Sequence, residues 1–225
     1  IPGKDLTLTI DNELQLYGES LMAGKRGGIV AIEPSTGEIL SLISMPSYNP
    51  NLMVGRERSK NSVIFFSDSI NKPMYDRSLL AQYAPGSPFK IVQGLVGLQE
   101  EIITPTTSFR CYHGYRYGKG PKDFMGCHCG IFGQPIQLRK GLARSCNSYF
   151  SNVYRRIIEK YPTASEGMNV WSKHMRSFGL GQYLGYDLPQ GSKGLIPDAS
   201  LYNRWYPNGR WRASYTISNA IGQGQ

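Results

Sequence analysis

The segment from residue 104 to residue 135 is the strongest constraint on how this chain folds. It is rich in Gly, Tyr, His and Cys, and its apolar residues follow neither a helical nor a strand period. A stretch of this length without regular structure is unusual inside a compact domain, so something must hold it. The four cysteines of the chain all lie in or just beyond it, at Cys111, Cys127, Cys129 and Cys146. We therefore expect cysteine chemistry to order this segment.

Length and composition place the chain among globular proteins. It has 225 residues, 40% of them hydrophobic and 18% charged, which excludes a disordered or low-complexity polymer. A chain of this length buries enough surface to fold without disulfide bonds. The net charge of +9 suits either an anionic partner or a solvated basic surface. The sequence contains no apolar run as long as a membrane-spanning helix and does not open with a signal peptide.

The hydrophobic pattern predicts helices together with one β-hairpin. Residues 6–10 alternate as in a short strand, and residues 29–32 and 39–44 flank a turn as in a hairpin. Residues 52–83 are polar and of mixed pattern, which favours helical turns and loops, whereas residues 183–225 show little regular pattern. Helical periodicity or capping residues predict helices at 12–23, with Asp11 as N-cap, and at 87–98, 138–160 and 164–178.

Ser87 and Lys90 are the candidate catalytic pair. Residues i and i+3 lie on one helical face, and Pro88 suits the first turn of a helix, so the hydroxyl and the amine come within hydrogen-bond reach. The serine can attack a carbonyl group if the lysine accepts its proton, which requires a neutral lysine. The lysine pKa must therefore fall from about 10.4 to near neutrality. Burial beside Phe89 and Ile91, together with the helix dipole, acts in that direction.

The Ser-x-x-Lys spacing alone is weakly specific, because Ser69 and Lys72 share it. A second motif, Ser145-Cys146-Asn147, opens another apolar helical stretch further along the chain. Ser-x-Asn also recurs elsewhere, so neither motif is decisive by itself. The pairing carries the signal, with Ser-x-x-Lys at a predicted helix start and Ser-x-Asn about sixty residues later.

Residues 83–90 and 145–147 resemble the first two motifs of the penicillin-binding proteins, whose set is Ser-x-x-Lys, Ser-x-Asn and Lys-Thr/Ser-Gly. The similarity covers essentially the whole chain and points to class B transpeptidases of the elongation-specific type, penicillin-binding protein 2. It implies an α/β (α+β) fold in which helices flank an antiparallel sheet. Flanking segments that are similar to this family lie at 5–15, 32–40, 45–51 and 194–197.

The resemblance implies a serine-type D,D-transpeptidase that cross-links peptidoglycan stem peptides and is acylated by β-lactams. Ser87 is the implied nucleophile, and its N–H group is one oxyanion-hole donor. Lys90 is the implied general base. Ser145 is expected to relay a proton to the leaving D-alanine, and Asn147 to hold an amide of the substrate. No organic cofactor is implied.

The third motif of the family does not occur in the sequence, since Ser192-Lys193-Gly194 does not match Lys-Thr/Ser-Gly. In the family that motif lies on a later sheet strand, which binds the substrate carboxylate and supplies the second oxyanion donor. We therefore expect residues 1–225 to be a partial transpeptidase domain that lacks its C-terminal strands. Little transpeptidase activity is expected from the 225 residues alone.

The four cysteines are a candidate tetrahedral zinc site. Cys127-His128-Cys129 departs from the usual Cys-x-x-Cys spacing, and His128 or His113 is an alternative to one thiolate. Some members of the resembled subfamily carry a metal in this loop, which supports zinc. One or two disulfide bonds, which a periplasmic setting favours, and buried free thiols stay open as alternatives.

Expectations about partners and location follow from the resemblance. The implied protein is anchored in the bacterial inner membrane with its catalytic domain in the periplasm. It is expected to work with a lipid II glycosyltransferase and other proteins of the elongation complex, and not with nucleic acid. Two rival interpretations are a non-catalytic, β-lactam-sensing relative and a zinc-stabilised scaffolding or basic binding module. A soluble β-lactamase is disfavoured, because no deacylating carboxylate motif follows Ser-x-Asn.

Overall fold

In a computed structural model of the protein, residues 5–185, 188, 190–206 and 210–224 are described. They belong to two units, each with its own contacts. The first contains residues 5–82, 188 and 190–192. The second contains residues 83–185, 193–206 and 210–224, and it carries all of the candidate site residues.

The first unit is built on the predicted hairpin. Strand β1 (Gly27–Ile32) pairs antiparallel with β2 (Ile39–Met45). Helix α1 (Asn12–Leu21) packs on β2, and Asp11 caps it as predicted, accepting a hydrogen bond from the Leu14 N–H. The helix approaches the strand closely at Gly18, where a Cβ would lie 2.2 Å from Ile43 Cδ1. This unit also contains a 3-10 helix (Pro50–Met53) and helices α2 (Arg58–Ser67) and α3 (Arg77–Leu80).

The strand predicted at residues 6–10 is wrong. The segment lies beside β2, where the Thr9 hydroxyl donates to the Ile39 carbonyl at 2.7 Å, but it forms no strand. Leu6 and Leu8 are 81% and 63% exposed. The alternating pattern therefore has no buried face to hold it in a sheet.

The second unit is centred on helix α6 (Asn147–Glu159), which packs against α4 (Phe89–Gln99) and α7 (Ala164–Ser177). Phe150 and Ile157 of α6 are fully buried. Trp171 of α7 is also buried, and its indole N–H donates to Gln93 Oε1 of α4 at 2.9 Å. Aromatic and aliphatic packing against α6 and α7 thus fixes α4, the helix that carries Lys90 of the first candidate motif.

The single helix predicted at residues 138–160 is wrong, because the chain breaks it into α5 (Leu138–Ala143) and α6. Ser145 adopts φ 49°, a left-handed conformation through which a right-handed helix does not continue. Cys146 then starts the second helix, since its sulfur accepts a hydrogen bond from the Tyr149 N–H at 3.4 Å. Apolar periodicity runs on through this break and so conceals it.

Two short strand pairs cross the cysteine-rich segment. Strand β3 (Phe109–Arg110) pairs with β6 (Pro135–Ile136), and β4 (Gly114–Arg116) pairs with β5 (Phe124–Gly126). Together with the hairpin they give the mixed helix and sheet architecture that was expected. Residues 183–225 are more regular than predicted, with helix α8 (Ala199–Trp205) packed on α7 and a second 3-10 helix (Ala213–Ile221) packed on α6.

Within the described residues, no helix combines the length and the apolar character needed to cross a lipid bilayer.

Glu100 joins the C-terminal end of α4 to α6 and α7. Its carboxylate, 9% exposed, accepts hydrogen bonds from Lys160 Nζ at 2.9 Å and Tyr161 Oη at 2.7 Å, and His174 Nε2 lies 2.6 Å away. Burial acts to raise the pKa of Glu100, but the bonds from these three side chains outweigh it and hold the pKa at about 2. The ionised carboxylate is therefore the stabilised form.

We predict that Glu100→Gln lowers the free energy of unfolding at neutral pH by about 2 kcal/mol, because it weakens a buried, charge-assisted network. The folded pKa of Glu100 lies below the usual 4.5. The stability that this carboxylate contributes is therefore fully present above about pH 4.5 and is lost as the pH falls toward 2. Urea unfolding of the unchanged protein should therefore show a loss of stability across that window, and the loss should be smaller in Glu100→Gln. Glu101→Gln, at the exposed neighbouring position, is the control. An equal pH dependence in Glu100→Gln and the unchanged protein would contradict this account.

Candidate active site

Ser87 lies in the turn that leads into α4, directly above Lys90. Gly86 enters this turn at φ 66°, and its N–H donates to the Gly222 carbonyl at 2.9 Å. Ser87 is exposed, whereas Lys90 is only 1% exposed. Their side chains meet, with Lys90 Nζ 3.1 Å from Ser87 Oγ. The structure thus places an accessible hydroxyl over a buried amine.

The second predicted motif closes around the same amine. Lys90 Nζ donates to Asn147 Oδ1 at 2.6 Å and to the Ser145 carbonyl at 2.8 Å, and it lies 2.9 Å from Ser145 Oγ. The Ser145 hydroxyl donates to Ser87 Oγ at 2.8 Å. The left-handed Ser145 backbone directs both its carbonyl and its hydroxyl toward Lys90. All four predicted catalytic residues, Ser87, Lys90, Ser145 and Asn147, therefore lie in one hydrogen-bonded cluster.

A neutral Lys90 amine can satisfy both carbonyl acceptors that surround it. The Ser145 carbonyl and Asn147 Oδ1 can only accept, and together they take two N–H groups. The Asn147 orientation is fixed because its Nδ2 donates to the Gly126 carbonyl at 2.8 Å. A neutral amine has two hydrogens and one lone pair. The lone pair is then left for the hydrogen of the Ser87 hydroxyl, because the Ser145 hydroxyl donates to Ser87 Oγ.

Burial favours the same protonation state. Desolvation of the charged form lowers the pKa of Lys90 below its ordinary value of 10.5, and the sulfurs of Cys127, Cys146 and Cys129 oppose this shift without cancelling it. A lysine with a lowered pKa is able to accept a proton from a neighbouring hydroxyl. The cluster is therefore suited to activate Ser87 as a nucleophile.

The turn at Ser87 also presents a backbone donor. Among the described residues, no acceptor takes the Ser87 N–H. It stands beside the exposed hydroxyl at the start of a helix, where partial positive charge accumulates. This N–H is in place to stabilise negative charge on a carbonyl oxygen that Ser87 attacks.

The four cysteines form a compact buried cluster. Their sulfurs all lie within 4.8 Å of one another, with Cys127 and Cys146 at 3.7 Å. All four thiols are unpaired in this part of the chain, and the exposed His113 and His128 lie outside the cluster. The hydrogen bond between Cys127 and Cys146 lowers the pKa of the Cys127 thiol and raises that of the Cys146 thiol. Four soft donors at this spacing fit a tetrahedral metal ion.

The cysteine cluster is built into the same backbone as the candidate catalytic residues. Cys146 stands between Ser145 and Asn147 in the chain, and Cys127 follows Gly126, whose carbonyl holds the Asn147 amide. Any movement of the cluster must therefore move the groups that surround Lys90.

Two backbone groups of this site were not identified from the sequence. The Gly126 carbonyl orients Asn147, and the Gly222 carbonyl holds the turn before Ser87. Gly222 has φ 65°, and a Cβ there would lie 2.5 Å from the Gly86 carbonyl oxygen. The glycines in the Gly-Gln-Gly run at residues 222–224 favour a backbone conformation that other residues rarely adopt. They do not indicate that Gly222 contacts Gly86.

Comparison with known proteins gives consistent results. The family profile described as penicillin binding protein transpeptidase domain matches residues 27–223. The chain is 36% identical to the peptidoglycan D,D-transpeptidase MrdA of Acinetobacter baumannii, and the match covers 99% of this chain and 31% of that protein. The chain therefore spans about a third of the length of this curated relative.

Solved structures show the same similarity. The structure of Pseudomonas aeruginosa PBP2 in complex with WCK 5153 superposes with a TM-score of 0.81 at 33% identity, covering 100% of this chain and 48% of that one. The complex between PBP2 and MreC from Helicobacter pylori gives a TM-score of 0.79 at 30% identity, covering 96% of this chain and 38% of that one.

We predict that Gly222→Ala destabilises the protein by about 1–3 kcal/mol more than Gly55→Ala, because only Gly222 has no room for a Cβ. Both glycines have positive φ, 65° and 74°, so the backbone strain of the substitution is shared. A Cβ at position 222 would also lie 2.7 Å from Phe89 Cβ, whereas nothing lies within 4 Å at position 55. Urea unfolding of both variants tests this. Equal losses of stability would show that the contact between residues 222 and 86 is not tight.

Proposed function

The chain belongs to the penicillin-binding protein transpeptidase family, and we propose that it carries the acyl-transfer site of a peptidoglycan D,D-transpeptidase. The observation that carries this proposal is the buried Lys90 amine, which lies within hydrogen-bond distance of Ser87, Ser145 and Asn147. An exposed serine, a buried base and a bridging hydroxyl together suit serine acylation. A scaffolding or nucleic-acid-binding module would have no use for this arrangement.

In the proposed reaction, Ser87 Oγ attacks the carbonyl carbon of the D-Ala-D-Ala amide of a stem peptide while Lys90 accepts the serine proton. The Ser87 N–H stabilises the oxyanion of the tetrahedral intermediate. Ser145 lies 2.9 Å from Lys90 Nζ and 2.8 Å from Ser87 Oγ, so it can pass the proton to the departing amine. The C–N bond breaks, D-alanine leaves, and an acyl-serine ester remains.

A second half-reaction completes the cross-link. An amine from an acceptor stem peptide attacks the ester carbonyl and transfers a proton through the same groups, and the Ser87–acyl bond breaks. The free side-chain capacity of Asn147 is suited to hold a substrate amide. A β-lactam ring would acylate Ser87 by the first half-reaction.

We further propose that residues 1–225 are a partial transpeptidase domain and that the Lys-Thr/Ser-Gly motif is supplied from outside them. That motif would bind the substrate carboxylate and supply the second oxyanion donor. The proposal is supported by the two motifs found here and by the third motif of the family, which the sequence does not contain. The 225 residues alone would then be acylated slowly.

We propose that Cys111, Cys127, Cys129 and Cys146 hold a structural zinc ion. The fit rests on four buried sulfur atoms that lie within 4.8 Å of one another. Bound zinc would supply a cross-link between segments and would neutralise thiolate charge near Lys90. The residues of the cluster hold Ser145, Gly126 and Asn147 in their places and do not touch the reacting atoms.

The proposed setting of the protein follows from its relatives. We propose that it is anchored in the bacterial inner membrane with this domain in the periplasm. Its proposed partners are a lipid II glycosyltransferase and other elongation proteins. Support comes from the H. pylori complex between PBP2 and MreC and from a peptidoglycan synthase complex that superposes with a TM-score of 0.78 at 28% identity.

Metal analysis tests the zinc proposal. Protein purified without chelator should contain one zinc ion per chain, and Cys129→Ser should lower both the zinc content and the melting temperature. Ser78→Ala in α3 is a control for substitution at a position far from the cysteines in sequence. A zinc content near zero together with no free thiols would show that disulfide bonds form instead.

Labelled penicillin tests the function directly. Because the serine oxygen is the attacking atom, Ser87→Ala should abolish covalent labelling, and Lys90→Met should slow it by at least 10²-fold. The chain offers matched controls, since Ser69 and Lys72 have the same spacing, and Ser69→Ala and Lys72→Met should label normally. The assay uses protein extended to include the Lys-Thr/Ser-Gly motif. Undiminished labelling of Ser87→Ala would contradict the proposal.

A further inference from the structure

A groove of about 630 Å³ lies between the hairpin β4–β5 and the 3-10 helix that ends at Ile221. Tyr117 and Phe124 line the hairpin side. Tyr206, Tyr215, Ser214 and Ser218 line the other side. None of these groups has been assigned a role in the chemistry at Ser87. The volume falls within the range of sites that bind small molecules.

Both walls of the groove continue into the active site. On one wall, strand β5 runs from Phe124 to Gly126, whose carbonyl accepts from Asn147 Nδ2 at 2.8 Å. Two residues of strand span about 7 Å. On the other wall, the chain runs from Ser218 to Gly222, whose carbonyl accepts from the Gly86 N–H at 2.9 Å. Four residues of 3-10 helix span about 8 Å. On either wall the groove therefore starts roughly two extended residues away from the carbonyls that bond to Asn147 and Gly86.

The lining offers aromatic faces. The Tyr206 and Tyr215 rings lie 5.2 Å apart with an interplanar angle of 46°, and Tyr215 is 56% exposed. Phe124 is 40% exposed, and the Arg116 guanidinium lies over its ring at 5.5 Å. The Tyr206–Tyr215 pair is therefore the more open of the two platforms. Faces of aromatic rings carry partial negative charge and attract the weakly positive C–H groups of an apolar ligand face.

The polar groups of the lining are uncharged. The hydroxyls of Ser214 and Ser218 have no hydrogen-bond partner in the described part of the chain. None of the described residues that line the groove is charged. A ligand with ionised groups would lose hydration there, which is costly. The described lining side chains carry no counter-charge, and the nearby Arg116 guanidinium lies over the Phe124 ring and donates to the Gly120 carbonyl at 3.2 Å. A ligand with C–H faces and hydroxyl or amide edges would find partners for both.

We propose that this groove binds a neutral stretch of saccharide, namely the glycan strand that bears the stem peptide presented to Ser87. A pyranose ring stacks its C–H face on Tyr215, and its hydroxyl or acetamido groups bond to Ser214 and Ser218. This inference rests on the proposed transpeptidase function and adds a substrate subsite to it. The stem peptide, which carries the ionised groups, lies toward Asn147 and Ser87.

The probe is a neutral tetramer of N-acetylglucosamine, titrated into the full 225-residue chain and followed by NMR. Saturable shifts are expected at Tyr215 and Ser218, and Tyr215→Ala should weaken binding about fivefold. Ser218→Ala should also weaken it and serves as a second variant with little effect on folding. Tyr17→Ala is the matched control, because Tyr17 is an exposed tyrosine, at 62%, in the other unit.

The outcomes are distinguishable. The absence of saturable binding, or equal affinity of Tyr215→Ala and Tyr17→Ala, overturns the saccharide subsite. It is also overturned if a free stem pentapeptide shifts the groove resonances and the tetramer does not. Penicillin labelling of Ser87 is scored separately in the extended protein. Protein that binds the tetramer but forms no acyl adduct contradicts the proposed function and not the groove.

Discussion

The buried amine of Lys90 is the interaction on which the rest of this site depends. At 1% exposure it needs polar partners on every side, and it finds them in Ser87, Ser145 and Asn147. Burying an unpaired ammonium group at this depth would be strongly destabilising, so the positions of the surrounding hydrogen-bond partners must be fixed accurately. Two carbonyl acceptors and the Ser87 hydroxyl can satisfy the neutral amine, and burial lowers the pKa of Lys90 in the same direction. Packing and proton transfer are thus two consequences of one arrangement.

Backbone features far apart in sequence maintain that arrangement. The left-handed Ser145 ends α5 and turns its carbonyl toward Lys90, and Cys146 starts α6 one residue later. The Gly222 carbonyl holds the Gly86 turn, and the Gly126 carbonyl holds the Asn147 amide. Because the cysteine cluster includes Cys146, its cohesion and the geometry of the second motif are physically linked. The proposed saccharide groove is lined by the segments that lead to Gly126 and Gly222. The same backbone would therefore position both the substrate and the nucleophile.

Much of this was predictable from the sequence, because local rules govern it. The i, i+3 spacing of Ser87 and Lys90, the Asp11 cap and the hairpin at β1–β2 follow from short-range geometry. The break at Ser145 was not predictable, because apolar periodicity continues through it and only tertiary bonds to Lys90 explain the left-handed turn. The strand expected at residues 6–10 failed for the opposite reason, since its pattern is regular but Leu6 and Leu8 are mostly exposed. Contacts such as Gly222 with Gly86 join distant residues and leave no periodic trace.

The most direct test is the pKa of Lys90 itself. Lysine labelled with ¹³C at Cε can be titrated by NMR, and the Lys90 resonance can be assigned by its loss in Lys90→Arg. The account predicts a pKa clearly below the ordinary 10.5, because burial disfavours the ammonium form more than the neighbouring sulfurs favour it. A pKa at or above 10.5 would contradict it, since Lys90 would then be a charged structural anchor and Ser87 would lack its base.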